Sequence, residues 1–393
     1  MLNTPFSPWP SFTDEEASSV AQMLLSNKVN YWTGNACRAF EEEFAAWAGT
    51  RHAVALANGT LALDLALKAL GIGPGDEVIV TPRTFFASAS CIVNAGAVPV
   101  FADVDRDSQN ITAETIAAVL TPRTRAIICV HLAGMPCDMD PIMALAEEHK
   151  LLVIEDCAQA HGARYKGRMV GSIGHIGAWS FCQDKIISTG GEGGMVTTND
   201  QRWWSAMWSF KDHGKSWDAV YERAHPPGFR WVHESFGTNW RMLETQAAIG
   251  RIQLRRLAGW TTQRRANALR IAAACRRSAA VRVPAVPAFV DHAYYKFYVF
   301  AEPQRLTDGW TRERIVDEIG ARGVPCLQGT CPEVYLEQAF AGTGFRPRER
   351  LKVARELGET SIMFLVHPTL TEAEMDKTCR VIGEVLEMAG PAR

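Results

Sequence analysis

The chain has 393 residues, 47% of them hydrophobic and 21% charged, with 41 basic and 43 acidic side chains for a formal net charge of −2. That length exceeds what a single core serves, so two domains are expected, and the even charge offers no basic surface for nucleic acid or an anionic membrane. The opening "MLNTPFSPWPSFTDEE" lacks the pattern of a secretory signal, no apolar run is long enough to span a bilayer, and the ten scattered cysteines contain no C-x-x-C pair, which predicts a cytoplasmic protein with reduced thiols and no bound metal.

In the first half, short apolar runs alternate with helical patterns. "HAVALANG" (52–59) reads as a strand closing in turn residues, and "TLALDLALKALGI" (60–72) carries leucines and alanines at helical spacing. "GPGDEVIVTP" (73–82) returns to a strand after a Gly-Pro-Gly turn. "FFASASCIVNAG" (85–96) is helical, "VPVFADVD" (98–105) and "TRAIICVHLAG" (124–134) are strands, and "MDPIMALAEEHK" (139–150) is a helix leading into the strand "LLVIED" (151–156). This alternation predicts a parallel or mixed sheet covered by helices on both faces. Two more strand-like pieces follow between residues 178 and 200.

The pattern then changes. Residues 244–277 form one long helical stretch, interrupted near Gly259, with a solvated arginine face. Proline-punctuated strands occupy 281–300, and amphipathic helices with acidic first turns occupy 311–324 and 371–390. The expected division is a large α/β domain over 1–259 and a smaller α+β domain over 260–393.

In open α/β sheets, sites lie beyond the carboxyl ends of the strands. Four places there carry chemistry. In "ANGTLAL", Gly59 and Thr60 follow a strand and open a helix, aiming free N–H groups and a hydroxyl at one point, as a phosphate requires; Thr60 equally suits a plain helix cap. In "VIEDCAQAHGA", Asp156 ends an apolar strand with Gln159 three residues on, and a carboxylate so placed needs a partner or caps a turn. In "TPRTFFAS", Phe85 follows a strand end and either covers a flat ring or joins the core. In "SFCQDKIISTGGEGGMVTTND" (180–200), Lys185 stands between Ser180 and a glycine-rich run. Those glycines either leave room for a bulky ligand or simply make a tight connection between strands.

Together these are the needs of pyridoxal 5'-phosphate: a lysine to link it, an acid for its ring nitrogen, and a cup for its phosphate. The order phosphate turn, aromatic, Asp, Lys is that expected of an aspartate-aminotransferase-like fold, with a mixed, mostly parallel sheet in the large domain.

The segments "NGTLALDLAL", "EDCAQAHGARYKGRMVGSIGHIGAWSF", "DKIISTGGEGGMVTTND" and "FGTNWRMLETQAAIGRIQLRRL" resemble those of the DegT/StrS-type nucleotide-sugar aminotransferases. The likeness covers well over half the chain and thins toward the C-terminus. The resemblance implies that Lys185 links the cofactor, Asp156 pairs with the ring nitrogen and Gln159 contacts the ring oxygen. It also implies that Gly59, Thr60 and Ser180 bind the phosphate and that Phe85 stacks on the ring. Asn239, in "GTNWRM", matches a residue that reaches the phosphate from the neighbouring subunit, which implies a homodimer with shared active sites. L-glutamate is the implied amino donor and a keto-sugar nucleotide the implied acceptor.

The chain departs from the family's usual pattern in three places. "CQD" replaces the usual trio before the lysine, Arg83 stands where a small residue is usual, and "GVPCLQGTCPEVY" replaces a segment near the sugar, although Tyr335 still matches. Arg83 and Tyr335 are therefore the candidate substrate residues. Three other activities fit the same scaffold: keto-sugar dehydration, which typically has histidine in place of the lysine, aminotransfer to a cyclitol or another carbonyl, and non-catalytic regulation.

Overall fold

The short, β-branched runs of the first half lie side by side in one sheet, because each is apolar on both faces and must be covered on both. The computed structural model describes residues 5–393. Two helices, α1 (Asp14–Leu25) and α2 (Ala36–Ala48), precede the alternating region. That region runs β1 (His52–Leu56), α3 (Gly59–Ala69), β2 (Glu77–Val80), α4 (Ala87–Asn94), β3 (Val98–Phe101), α5 (Ala113–Ala117), β4 (Thr124–Val130), α6 (Met139–Glu148) and β5 (Leu152–Asp156). A ribbon of two-residue strands, β6 (Arg164–Tyr165) and β7 (Arg168–Met169), leads to β8 (Ile176–Ser180), β9 (Gly194–Thr198) and α7 (Gln201–Phe210).

The seven-stranded sheet has the order β1-β9-β8-β5-β4-β2-β3. β3, β2, β4, β5 and β8 pair in parallel, while β9 runs antiparallel to both β8 and β1. The sheet is therefore mixed and mostly parallel. β1 and β8 point the same way, so the carboxyl ends of β1, β2, β5 and β8 share one edge.

α8 (Glu244–Cys275) is a continuous helix of 32 residues. The interruption expected near Gly259 does not occur. Gly259 is exposed and packs against nothing within 4 Å of an added Cβ, so it costs the helix only the roughly 1 kcal/mol of an interior glycine. Beyond it come β10 (Val281–Arg282), β11 (Val290–Asp291), β12 (Phe297–Ala301), α9 (Arg312–Ala321), β13 (Cys326–Leu327), α10 (Lys352–Thr360), β14 (Ser361–Phe364) and α11 (Glu372–Ala389). β10, β12, β14 and β13 form a four-stranded antiparallel sheet, and β11 joins the β6–β7 ribbon.

The division expected at residue 259/260 falls inside α8, and residues 1–4 of the expected large domain lie outside the described residues. Leu257 packs in the core under the large sheet, whereas Ala268 and Ile271, further along the same helix, pack in the core of the small sheet. Val334, Tyr335 and Phe340 return to the large-sheet core although they lie late in the chain. Among the described residues no helix is long and apolar enough to cross a membrane.

Candidate active site

The shared edge of the large sheet carries a cavity of about 520 Å³ lined by Asn58, Gly59, Thr60, Thr84, Phe85, Ser88, Asp156, Gln159, Ser180 and Lys185, among others. Each reaches it from the end of a strand, from the turn that follows or from the first turn of the next helix.

After β1 the chain turns at Asn58, whose side chain accepts the Leu61 N–H at 3.0 Å and so caps α3. The cap is therefore Asn58, and Thr60 lies in the exposed first turn of the helix, lining the cavity. Gly59 sits tightly against Ser180: a Cβ there would lie 2.9 Å from Ser180 Oγ. A Cβ on Gly194 would overlap the Asn58 carbonyl. The glycine-rich run thus packs against the turn that opens α3, whereas Gly191 has nothing within 4 Å and needs only its left-handed φ of 123°.

Asp156 ends β5 and is 5% exposed. Its Oδ2 accepts from Ser88 Oγ at 2.8 Å and its Oδ1 from the Ala158 N–H at 3.1 Å. Burial pushes its carboxyl above the ordinary range, and those two hydrogen bonds, Lys185 and His131 pull the other way. Gln159 is oriented by its Oε1, which accepts the Ala133 N–H at 2.8 Å and leaves the NH₂ end to donate. Phe85, 65% exposed, stands at the rim just before α4.

Lys185 follows β8 in a turn whose backbone bonds to the Cys182 carbonyl at 3.0 Å. Its own carbonyl accepts from Trp9 Nε1 at 2.9 Å, so residues near the start of the chain brace the lysine loop. Its Nζ lies 3.7 Å from Asp184 Oδ1 and 5.1 Å from the centroid of the Tyr295 ring.

Three of the expected residues are not brought to this cavity. Arg83 is fully buried with its Nε donating to Gln109 at 3.0 Å and its guanidinium 5.6 Å from the Tyr298 ring. Tyr335 is buried too, donating its hydroxyl to Glu333 and packing against Phe101. Neither side chain lines the cavity, which removes the structural ground for a substrate contact by either within one chain. Asn239 is exposed and outside the cavity of its own chain. Conversely, Asn58, Ser88 and Tyr295 belong to the site's immediate surroundings and were not singled out from the sequence, and Asp184 entered there only as part of "CQD". Ser88 had one legible signal, its place one helical turn after Thr84, whose hydroxyl lies 2.9 Å from its own.

The residues present suit pyridoxal 5'-phosphate. A glycine-floored helix N-terminus beside a buried hydroxyl suits the phosphate, and a buried carboxyl raised by desolvation suits a cationic ring nitrogen. A lysine amine opens onto the same space.

Residues 10–383 match the model of the DegT/DnrJ/EryC1/StrS aminotransferase family. The X-ray structure of the aminotransferase from Psychrobacter cryohalolentis superposes with a TM-score of 0.96 at 62% identity, covering 98% of this chain and 99% of that one. The GDP-perosamine synthase of Caulobacter vibrioides is 38% identical over 359 residues, 88% of this chain and 89% of its own. The dTDP-3-amino-3,4,6-trideoxy-alpha-D-glucose transaminase of Streptomyces venezuelae is 34% identical over 375 residues, covering 95% and 92%.

Proposed function

Because the chain belongs to the DegT/DnrJ/EryC1/StrS aminotransferase family, whose cofactor is pyridoxal 5'-phosphate, we propose that it transfers an amino group from L-glutamate to the keto carbon of a nucleotide-linked sugar. The product is an amino sugar of the kind used in surface polysaccharides or antibiotics. The observation that carries this reading is the convergence of Asp156, Ser180, Lys185 and the first turn of α3 on one cavity. The names of the Caulobacter and Streptomyces relatives support the sugar class.

Bound in the cavity, the cofactor supplies an electron sink that lets an amino group be exchanged at a carbon. The remaining work falls to the chain. The N–H groups at the start of α3, with the Thr60 and Ser180 hydroxyls, would hold the phosphate. Asp156 would keep the ring nitrogen protonated by charge attraction, Gln159 would donate to the ring oxygen, and Phe85 would cover one ring face. Lys185 would link the cofactor, and its amine would hold and move a proton. The 2-oxo acid leaves before the keto sugar enters, which gives ping-pong kinetics.

Asn239 acts across a homodimer, reaching the phosphate of the site in the other protomer. Its exposure, and that of Phe236 and Leu243 nearby, supports this arrangement. The free cysteines fit a reducing, cytoplasmic compartment.

The test is an absorbance spectrum of the purified protein before and after L-glutamate, for wild type and Lys185→Ala. A visible or near-ultraviolet band that shifts with glutamate, reverses with a keto-sugar nucleotide and is missing in Lys185→Ala supports the reading. A wild type that shows no band after the cofactor is supplied overturns it.

A further inference from the structure

The wall beside the Lys185 amine is built from charged groups that the reading above does not use. Asp184 Oδ1 lies 3.7 Å from Lys185 Nζ. The hydroxyl of Tyr295, a residue 7% exposed, donates to the other oxygen of Asp184. The Tyr295 ring meets two ammonium groups, with Lys185 Nζ 5.1 Å and Lys296 Nζ 4.9 Å from its centroid. From α8, the buried Arg264 donates to the Tyr295 carbonyl at 3.3 Å. An aspartate, a tyrosine and two further cationic side chains thus gather around the amine that is to accept and return a proton.

The charge balance there is close. Burial pushes Lys296 down to about 8 and Arg264 down to about 9. Burial also keeps the Tyr295 phenol un-ionised and lowers His161 to about 3 and His367 to about 4, so both imidazoles are neutral. The anions facing the amine are Asp184 and, deeper in the cavity, Asp156. Burial alone would raise the Asp184 carboxyl, but Lys185, the Tyr295 hydroxyl and Lys296 outweigh it and hold the group below its ordinary range. Asp184 therefore stays ionised through the neutral range, and an anion at this distance favours the ammonium form of its neighbour.

We propose that Asp184, anchored by Tyr295, is a positioning residue that holds the displaced Lys185 amine in place as an ammonium between the removal of a proton from the amino donor and its return to carbon. The inference rests on the assignment of Lys185 as the cofactor-linking amine. The step balances within the site. The nitrogen lone pair takes the proton as a C–H bond breaks and its electron pair passes to the electron sink named above, and the N–H bond later breaks as that pair forms a new C–H bond. Asp184 remains a carboxylate and Tyr295 keeps its proton throughout.

Asp184→Asn isolates the charge, because a carboxamide oxygen can still accept from Tyr295. The experiment uses cofactor-free wild type, Asp184→Asn, Asp184→Glu, Tyr295→Phe and Lys185→Ala, and follows the rate at which added pyridoxal 5'-phosphate is captured, read by absorbance, between about pH 5.5 and about pH 9.5. Capture needs the neutral amine, so the rate rises with pH. Removing the anion leaves less of the amine held as ammonium, and Asp184→Asn is expected to capture the cofactor about tenfold faster at the acid end of this range. Tyr295→Phe speeds capture by less, and Asp184→Glu returns it toward wild type. Capture by Asp184→Asn that is slower than wild type, or faster by less than about twofold, makes Asp184 an ordinary surface ion pair and overturns the proposal. A Lys185→Ala protein that still shows the linkage absorbance overturns the assignment of Lys185 itself, a separate failure.

Discussion

The Ser88 hydroxyl donates a 2.8 Å hydrogen bond to Asp156 Oδ2, joining the first turn of α4 to the end of β5. Ser88 in turn pairs at 2.9 Å with the Thr84 hydroxyl, so three polar side chains form a chain within the buried side of the cavity. Because Asp156 is pushed upward by burial, each donor that favours its ionised form matters. Ser88→Ala is expected to lower the rate of the half-reaction with the amino donor about 10- to 150-fold, the equivalent of ~1.5–3 kcal/mol for a hydrogen bond to a charged group. Stopped-flow absorbance checks it, and an unchanged rate would mean that Asp156 needs no help from Ser88.

Asp156→Asn separates stability from cofactor binding. A carboxyl whose folded-state pKa is raised contributes stability below its unfolded value, and that contribution is lost as pH rises through the raised value. The cofactor-free variant is therefore expected to melt above wild type at neutral pH, with the gap closing as pH falls toward the ordinary carboxylate range. It should also bind the cofactor at least about tenfold more weakly, having lost the charge on the ring nitrogen. Thermal melts across pH and a cofactor titration read the two effects independently.

Gly194→Ala and Gly191→Ala distinguish packing from backbone strain. A Cβ at Gly194 overlaps the Asn58 carbonyl and comes within 2.9 Å of the Gly59 nitrogen, so it must displace the turn that opens α3. The expected cost is about 1–3 kcal/mol of stability, with clearly weaker cofactor binding. At Gly191 nothing stands within 4 Å, and only the positive φ is violated, at a cost of about 1–3 kcal/mol. Gly191→Ala should lower the melting temperature while leaving cofactor affinity near wild type. Equal losses of affinity in both variants would contradict this division.

Lys211 is fully buried, with its ammonium 3.2 Å from Glu41 Oε1 and 3.5 Å from the centroid of the Tyr31 ring. Glu41 also accepts the Ala55 N–H at 2.8 Å and the Tyr31 hydroxyl at 3.0 Å, which ties α2 to β1. Lys211→Ala leaves that carboxylate without its cation, a loss of about 3–5 kcal/mol in urea unfolding. The double change Glu41→Gln with Lys211→Met should recover part of it, because no lone charge then remains buried. A double variant no more stable than Lys211→Ala would show that packing rather than charge dominates.

Much of the site was legible because the spacing of its parts is local. Asp156 and Gln159 lie three residues apart after one strand, and Ser180 and Lys185 lie five apart after another, so strand ends alone bring them to one edge. Arg83 and Tyr335 suit a substrate by type, yet the segments after β2 and β13 turn them into the interior, where Gln109 accepts from the Arg83 Nε and Glu333 accepts from the Tyr335 hydroxyl. Tyr295 was invisible for a different reason: 111 residues separate it from Asp184, and no local pattern records the bond between them.

The sequence by itself determined the alternation of strands and helices, the ends at which polar residues gather, and the order of the cofactor-binding types, since each depends on periodicity and neighbours a few residues away. Tertiary structure alone decided that α8 runs unbroken past Gly259, that Asn58 rather than Thr60 caps α3, and that Ser88, Asp184 and Tyr295 surround the working groups. The bonds of Ser88 to Asp156 and of Tyr295 to Asp184 join segments 68 and 111 residues apart, where the pairing of buried polar groups rather than local preference decides the neighbours.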